Sequence, residues 1–209
     1  MEATLRLFWK ALVNAYDAGW ELVLINMLWF ILSFPIITLP ITMAGMAYYT
    51  HELAHGESIS WKDFFIGIKK FFWPSMRYLL ANLTFLFLVL FYLRLFGALN
   101  NSLTPIITGL IYGFAVTWLL LIPFVLPLMI EQEKPSLRTA FKNTIIMYLK
   151  WPGITIIVMI LFYVLAIGSS YFLIPWVFIT ASLCSFLFAY VVMVKAEEST
   201  KLTSPVKEQ

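Results

Sequence analysis

The chain has 209 residues, of which 62% are hydrophobic and 12% charged, with a formal net charge of +3. Soluble domains carry roughly 25% charged residues, so this composition excludes a water-soluble globular protein. So small a net charge gives no electrostatic footprint for nucleic acid, and the single Cys184 cannot form an intramolecular disulfide.

Long apolar runs place the chain in the membrane class. No cleavable leader is expected, because the first such run begins only at Leu22 and is too long for that role. Ahead of it, residues 5–20 are predicted as an amphipathic helix. Leu5, Phe8, Trp9, Leu12, Val13, Tyr16 and Trp20 recur at helical spacing, and Arg6, Lys10, Asn14 and Asp17 occupy the opposite side. Such a helix lies at a membrane interface or packs on helix ends.

Leu22–Thr50 is apolar for 29 residues and is interrupted by Pro35 and Pro40. A straight span needs about 20 residues, so this stretch is long for one span and short for two. Each proline removes a backbone donor and clashes with the preceding turn. The pair predicts a corner, hence a short hairpin over 13–34 and 40–55, with Pro40 in the first turn of the second helix and Thr38 as its cap. A single broken span is the alternative.

Residues 58–73 are predicted as a second amphipathic helix, with Trp61, Phe64, Phe65, Ile68, Phe71 and Phe72 on its apolar face. Ser60 and Asp63 have capping-box spacing. Two full spans follow, Tyr78–Phe96 and Pro105–Ile130, joined by the turn-rich GALNNSLT. A third amphipathic helix covers 136–150, with Leu137, Ala140, Phe141, Ile145, Tyr148 and Leu149 on one side. The last pair of spans, Ile154–Ser169 and Pro175–Val194, is expected to join near Gly168-Ser169-Ser170. The polar tail from 196 to 209 is expected to be disordered.

An internal repeat relates these segments. Ser58 precedes Trp73-Pro74 by the same spacing with which Ser136 precedes Trp151-Pro152, and the two units are offset by 78 residues. The expected architecture is therefore an all-α integral membrane protein, with five to six membrane-embedded helices arranged as three units of amphipathic helix plus hairpin. The units are 1–56, 57–134 and 135–195, within one membrane domain. With the first stretch as a hairpin, only Arg94 of the 14 basic residues falls on the outer side. The positive-inside rule then puts both termini in the cytosol.

His51-Glu52-Leu53-Ala54-His55 matches H-E-x-x-H, in which two imidazoles one helical turn apart can hold Zn²⁺ and the glutamate can activate a bound water. These are the only two histidines. A third protein ligand would have to be a carboxylate, and Glu131 and Glu133 are the candidates the topology brings to the same face. The competing reading needs no metal. Each unit ends in polar residues where its helix leaves the bilayer: His51 and His55, then Glu131 and Glu133, then Lys195, Glu197 and Glu198. That reading is preferred, and it assigns no catalytic, cofactor-binding or metal residue; His51, Glu52 and His55 form the metal site only in the alternative.

The spans hold no Asp, Glu or Lys at mid-depth, which argues against an ion-coupled carrier. Asn26, Asn82, Thr84, Thr117, Thr155, Ser182 and Ser185 are expected to make interhelical hydrogen bonds, and Gly109 and Gly113 to permit close helix packing or self-association. Arg94 is expected to snorkel to the outer interface.

The run LINMLWFILSFPIITLPITMAGMAYYTHEL resembles the opening signature of YesL-like bacterial membrane proteins, a domain family of unknown function. The residues carrying the resemblance are Asn26, Trp29, Ser33, Pro35, Thr38, Pro40, Ala44, Ala47 and Tyr48. SWKDFFIGIKKFF and PLMIEQEKPSLRTAFKN are similar to the family's later amphipathic segments. The chain departs from the pattern at Leu39, where the family has glycine, and at His51 and His55, where no histidine is expected. Members are typically encoded beside carbohydrate uptake transporters. The resemblance therefore implies a non-enzymatic accessory or regulatory protein of the bacterial cell membrane, with sugar transporter subunits and the lipid bilayer as partners and no cofactor. The alternatives are a membrane-embedded zinc hydrolase built on HELAH, and a passive lipid- or solute-handling protein.

Overall fold

Apolar length and proline placement decide where the helices begin and end. The computed structural model describes residues 2–35, 38–97 and 103–203, and all regular structure among them is helical. The elements are α1 (Glu2–Asp17), α2 (Gly19–Leu32), α3 (Leu39–Ala54), α4 (Trp61–Lys70), α5 (Phe72–Gly97), α6 (Thr104–Ile130), α7 (Leu137–Lys150), α8 (Pro152–Tyr171), the single turn α9 (Leu173–Pro175), and α10 (Ala181–Thr203). A π-helical turn, Trp176–Thr180, joins α9 to α10. Four of these segments are long and apolar enough to cross a membrane, or five if α1 and α2 count as one bent span. The protein is an all-α integral membrane protein.

The stretch 22–50 is not one helix. α2 and α3 pack on each other as two short helices either side of a corner. Their 14 and 16 residues reach only about 21–24 Å, short of the ~30 Å hydrocarbon core. The Thr38 hydroxyl does not cap α3; it donates back across the corner to Leu32 O at 2.5 Å and Pro35 O at 2.6 Å. Ser33 and Thr42 close the same corner through their hydroxyls, 2.6 Å apart. The expected first arm, 13–34, is also divided, because α1 and α2 meet at a 75° bend next to Gly19.

α4 packs by the expected face, burying Phe64 with Phe65 and Ile68 beside it, whereas α1 and α7 use only part of the faces their large residues mark. α1 lies on α8 and α10 through buried Ala11 and Ala15, whereas its Trp9 and Tyr16 point outward, 67% and 86% exposed, as does Trp20 at the start of α2. Outward aromatic side chains suit the interfacial depth of a bilayer. α7 buries Ala140, Thr144 and Met147 and exposes Leu149. At the start of α4 the capping box closes, with the Ser60 N–H donating to Asp63 Oδ2 at 2.7 Å. Ser136 caps α7 by accepting from the Thr139 N–H at 3.4 Å.

The two Trp-Pro pairs sit differently. Trp151 is the break itself, ending α7 and opening α8 with Pro152 behind it. In the preceding unit the break falls earlier, at Phe71, and Trp73-Pro74 lie in the first turn of α5. Gly168-Ser169-Ser170 remains helical, and the chain turns at Phe172 instead. α10 runs to Thr203, so the expected tail boundary at 196 falls inside a helix; 204–209 and residues 98–102 of the α5–α6 loop lie outside the described residues.

Two backbone irregularities are answered by side chains. Pro123 has no N–H, so Leu119 O on α6 lacks its regular helical donor; the Tyr163 hydroxyl supplies one at 2.8 Å. At the π-helical turn, Asn26 of α2 donates from Nδ2 to Trp176 O at 2.9 Å and Val177 O at 2.6 Å. Its Oδ1 accepts from the Ser182 N–H at 2.8 Å. One buried amide thus stands in for the partners that the wide turn displaces.

Candidate functional site

The last turn of α3 carries His51 and His55 on one face, their ring centroids 4.3 Å apart. Packing brings a carboxylate to them. Met129 and Ile130, at the end of α6, are buried in the cluster that holds Ala44 and Ala47 of α3. This fixes the register of the two helix ends, and the next residue on α6, Glu131, then faces the histidines. His51 Nε2 lies 2.9 Å from Glu131 Oε2, and His55 Nε2 lies 3.8 Å from Glu131 Oε1.

Both imidazoles are held by their other nitrogen. His55 Nδ1 is 2.9 Å from the carbonyl of His51, and His51 Nδ1 is 3.3 Å from Glu52 Oε1. Anchoring Nδ1 to a carbonyl or carboxylate is the usual way a protein fixes the tautomer and aim of a metal-binding histidine. It turns both Nε2 atoms toward Glu131. The three donor atoms lie within 4.8 Å of one another. Ligands of tetrahedral zinc stand about 3.3 Å apart, given bonds near 2.0–2.1 Å. The two Nε2–carboxylate distances bracket that value. Two imidazoles and a carboxylate form a donor set suited to Zn²⁺ and its neighbours in the transition series.

The other expected site residues are placed as follows. Glu133 is exposed and stands outside the group. Lys195 pairs with Glu198 at 2.5 Å on α10, and its ammonium lies over the Trp151 ring. Among the polar residues of the spans, Asn26 bridges to the π-helical turn, Asn82 accepts from Trp118 Nε1 at 3.0 Å, and Ser185 meets Thr50 at 2.8 Å. Thr117 and Thr155 bond to carbonyls of their own helices, Ser182 bonds Ile179 O, and Thr84 is exposed. Arg94 is exposed in the last turn of α5. Among the described residues the expected Gly109–Gly113 contact is not made: a β-carbon added at either position would meet nothing within 4 Å. The close approach occurs instead where α3 crosses α4, at Gly45 and Gly67.

The role of Glu52 was hidden in the sequence, since the motif suggests a base and the geometry shows a partner for His51 Nδ1. Adjacency to His51 was the available signal. Fold and site together define an integral membrane protein with a two-histidine, one-carboxylate cluster joining two helix ends. No family model, curated protein or solved structure matches the chain.

Proposed function

We propose that the protein is a non-enzymatic accessory membrane protein in which a divalent transition metal, bound by His51, His55 and Glu131, ties the end of α3 to the end of α6. The carrying observation is the convergence of both Nε2 atoms on Glu131 with both Nδ1 atoms anchored. Glu52 supports the non-enzymatic reading, because its carboxylate is engaged by His51 rather than left for a water. The resemblance to YesL-like proteins supports a place beside sugar uptake, with the site at the cytosolic face and the three units acting as one body.

Metal analysis of the purified protein tests this. About one equivalent of zinc or cobalt, lost in His51→Ala and in Glu131→Ala, is expected. Protein that binds no metal, or binds it equally in both variants, refutes the metal clamp. Co-purification with transporter subunits tests the accessory role separately. A zinc hydrolase is the second reading, favoured by the same donor set. It requires cleavage of a supplied peptide or ester that Glu52→Gln abolishes.

A further inference from the structure

A polar cavity of about 310 Å³ lies beside Glu131, between the end of α6, α7 and α10, with the break at Trp151 in its wall. Two lysines from different helices converge there. Lys150, the last residue of α7, and Lys195 of α10 bring their ammoniums to 5.1 and 5.4 Å from the centroid of the one Trp151 ring. Like charges gathered around one point repel, and a single indole answers two cations only weakly. The other Trp-Pro pair has no such arrangement: among the described residues no lysine lies over Trp73, whose side chain is exposed.

The donors in this wall are incompletely used. Lys150 offers three N–H groups, and among the described residues its one hydrogen bond, to Ser199 Oγ, is 3.5 Å long. The half-buried amide of Asn143 makes no hydrogen bond to any described residue. Lys195, its side chain only 16% exposed, is balanced by the more open Glu198, which stands outside the cavity. Gln132 is engaged at both ends, donating to Leu128 O and accepting from the Ser136 N–H. The only carboxylate in the wall, Glu131, has its oxygens 2.9 Å from His51 Nε2 and 3.8 Å from His55 Nε2. The cavity therefore presents two positive charges and a free amide, and its one negative charge is engaged by the histidines.

We propose that this cavity binds a phosphate group, its oxygens accepting from Lys150 Nζ, Lys195 Nζ and the Asn143 amide. A phosphate monoester carries about −1.5 to −2 charge at pH 7, which matches two ammoniums. Lysine binds phosphate as a point charge, and basic pockets between membrane helices hold lipid headgroups. Tryptophan favours the depth of those headgroups, so the phosphate belongs to an anionic lipid or to a soluble phosphate, and the two arms of the test separate these. The site adjoins the histidine cluster but uses neither histidine and needs no metal.

Inorganic phosphate is titrated into purified protein in a nonionic detergent by calorimetry. In parallel, binding of phosphatidic acid is counted by native mass spectrometry against phosphatidylcholine. Saturable binding in at least one arm is expected; phosphatidic acid alone assigns the lipid, and phosphate alone assigns the soluble source. Lys150→Gln and Lys195→Gln should each weaken binding about tenfold or more, the worth of one charge-assisted hydrogen bond. Lys150→Arg should retain it. Lys142→Gln, on α7 but outside the wall, and His51→Ala should leave it unchanged. Every substituted side chain is exposed or half-buried, so the variants should stay monodisperse. Binding in neither arm, or binding that both lysine-to-glutamine variants leave intact, overturns the site. Equal weakening by Lys142→Gln would mean diffuse surface charge, and loss in His51→Ala would mean phosphate held by a metal; either also overturns it.

Discussion

His51 and Glu131 are 80 positions apart in sequence, yet His51 Nε2 lies 2.9 Å from Glu131 Oε2. Glu52 holds the far side of the same imidazole. If that arrangement serves metal binding, Glu52→Gln should retain the metal with about 10–100-fold lower affinity, the usual cost of losing a partner behind a ligand histidine. His51→Ala should remove binding. Competitive titration against a chromophoric chelator separates the two outcomes. Saturating metal at a hundred times its dissociation constant should add about 2.7 kcal/mol to the stability of the natural chain, and nothing to Glu131→Ala.

The crossing of α3 and α4 leaves no room for a methyl group. A β-carbon on Gly67 would sit 2.6 Å from Tyr48 Cβ, and one on Gly45 would sit 2.8 Å from Phe64 O. Gly67→Ala should cost about 1–3 kcal/mol, as overpacking does, and lower the thermal midpoint in detergent. Gly109→Ala and Gly113→Ala meet nothing within 4 Å among the described residues, so neither should destabilise the monomer. A fall in dimer content on either change would assign that pair to self-association.

Asn26 is fully buried and makes three hydrogen bonds to the backbone around the π-helical turn. At about 0.6 kcal/mol per interhelical bond in a membrane, Asn26→Leu should cost about 2 kcal/mol. Asn26→Asp should cost more, because a carboxylate would face the Trp176 and Val177 carbonyls that now accept from Nδ2. Steric-trap or denaturant unfolding in bicelles orders the three proteins; an aspartate variant as stable as the natural chain would contradict the assignment.

The Tyr163 hydroxyl serves a carbonyl that Pro123 leaves without a donor. Tyr163→Phe should therefore destabilise the natural chain by about 1 kcal/mol. In a Pro123→Ala background it should cost little, because the substitution restores the helical N–H to Leu119 O. The double-mutant cycle reads the difference directly. Additive effects would mean that the tyrosine acts by packing alone.

The corner at Ser33–Thr38 returns α3 toward the side from which α2 came. Reporter fusions should consequently place both termini on one side, in the cytosol by the distribution of lysine and arginine. Opposite sides for the two termini would contradict the hairpin of α2 and α3.

Much of the architecture is legible from local chemistry. Apolar length marks α5, α6, α8 and α10. Ser60 with Asp63, and Ser136, mark the starts of α4 and α7, because caps act within one turn. The end of α8 lies beyond the Gly168–Ser170 turn that composition suggests, because small residues are tolerated in a tightly packed membrane helix and Ser169 is buried against Thr180. Part of the expected apolar faces of α1 and α7 turns outward for a related reason: Trp9 and Tyr16 on α1, Ile145 and Leu149 on α7. In lipid, large apolar side chains gain as much from facing outward as inward, so on α1 the small Ala11 and Ala15 become the buried contact residues.

What the sequence alone determined was the class, the positions of most helices and the two histidines one turn apart, since each depends on composition or spacing within a single segment. Only the tertiary structure decided that Glu131 rather than Glu133 meets those histidines, that Gly45 and Gly67 rather than Gly109 and Gly113 admit a close crossing, and that Asn26 answers the π-helical turn. Each of these rests on the rotation and register of one helix against another. Interdigitating side chains from distant segments set those quantities, and no periodicity within one segment encodes them.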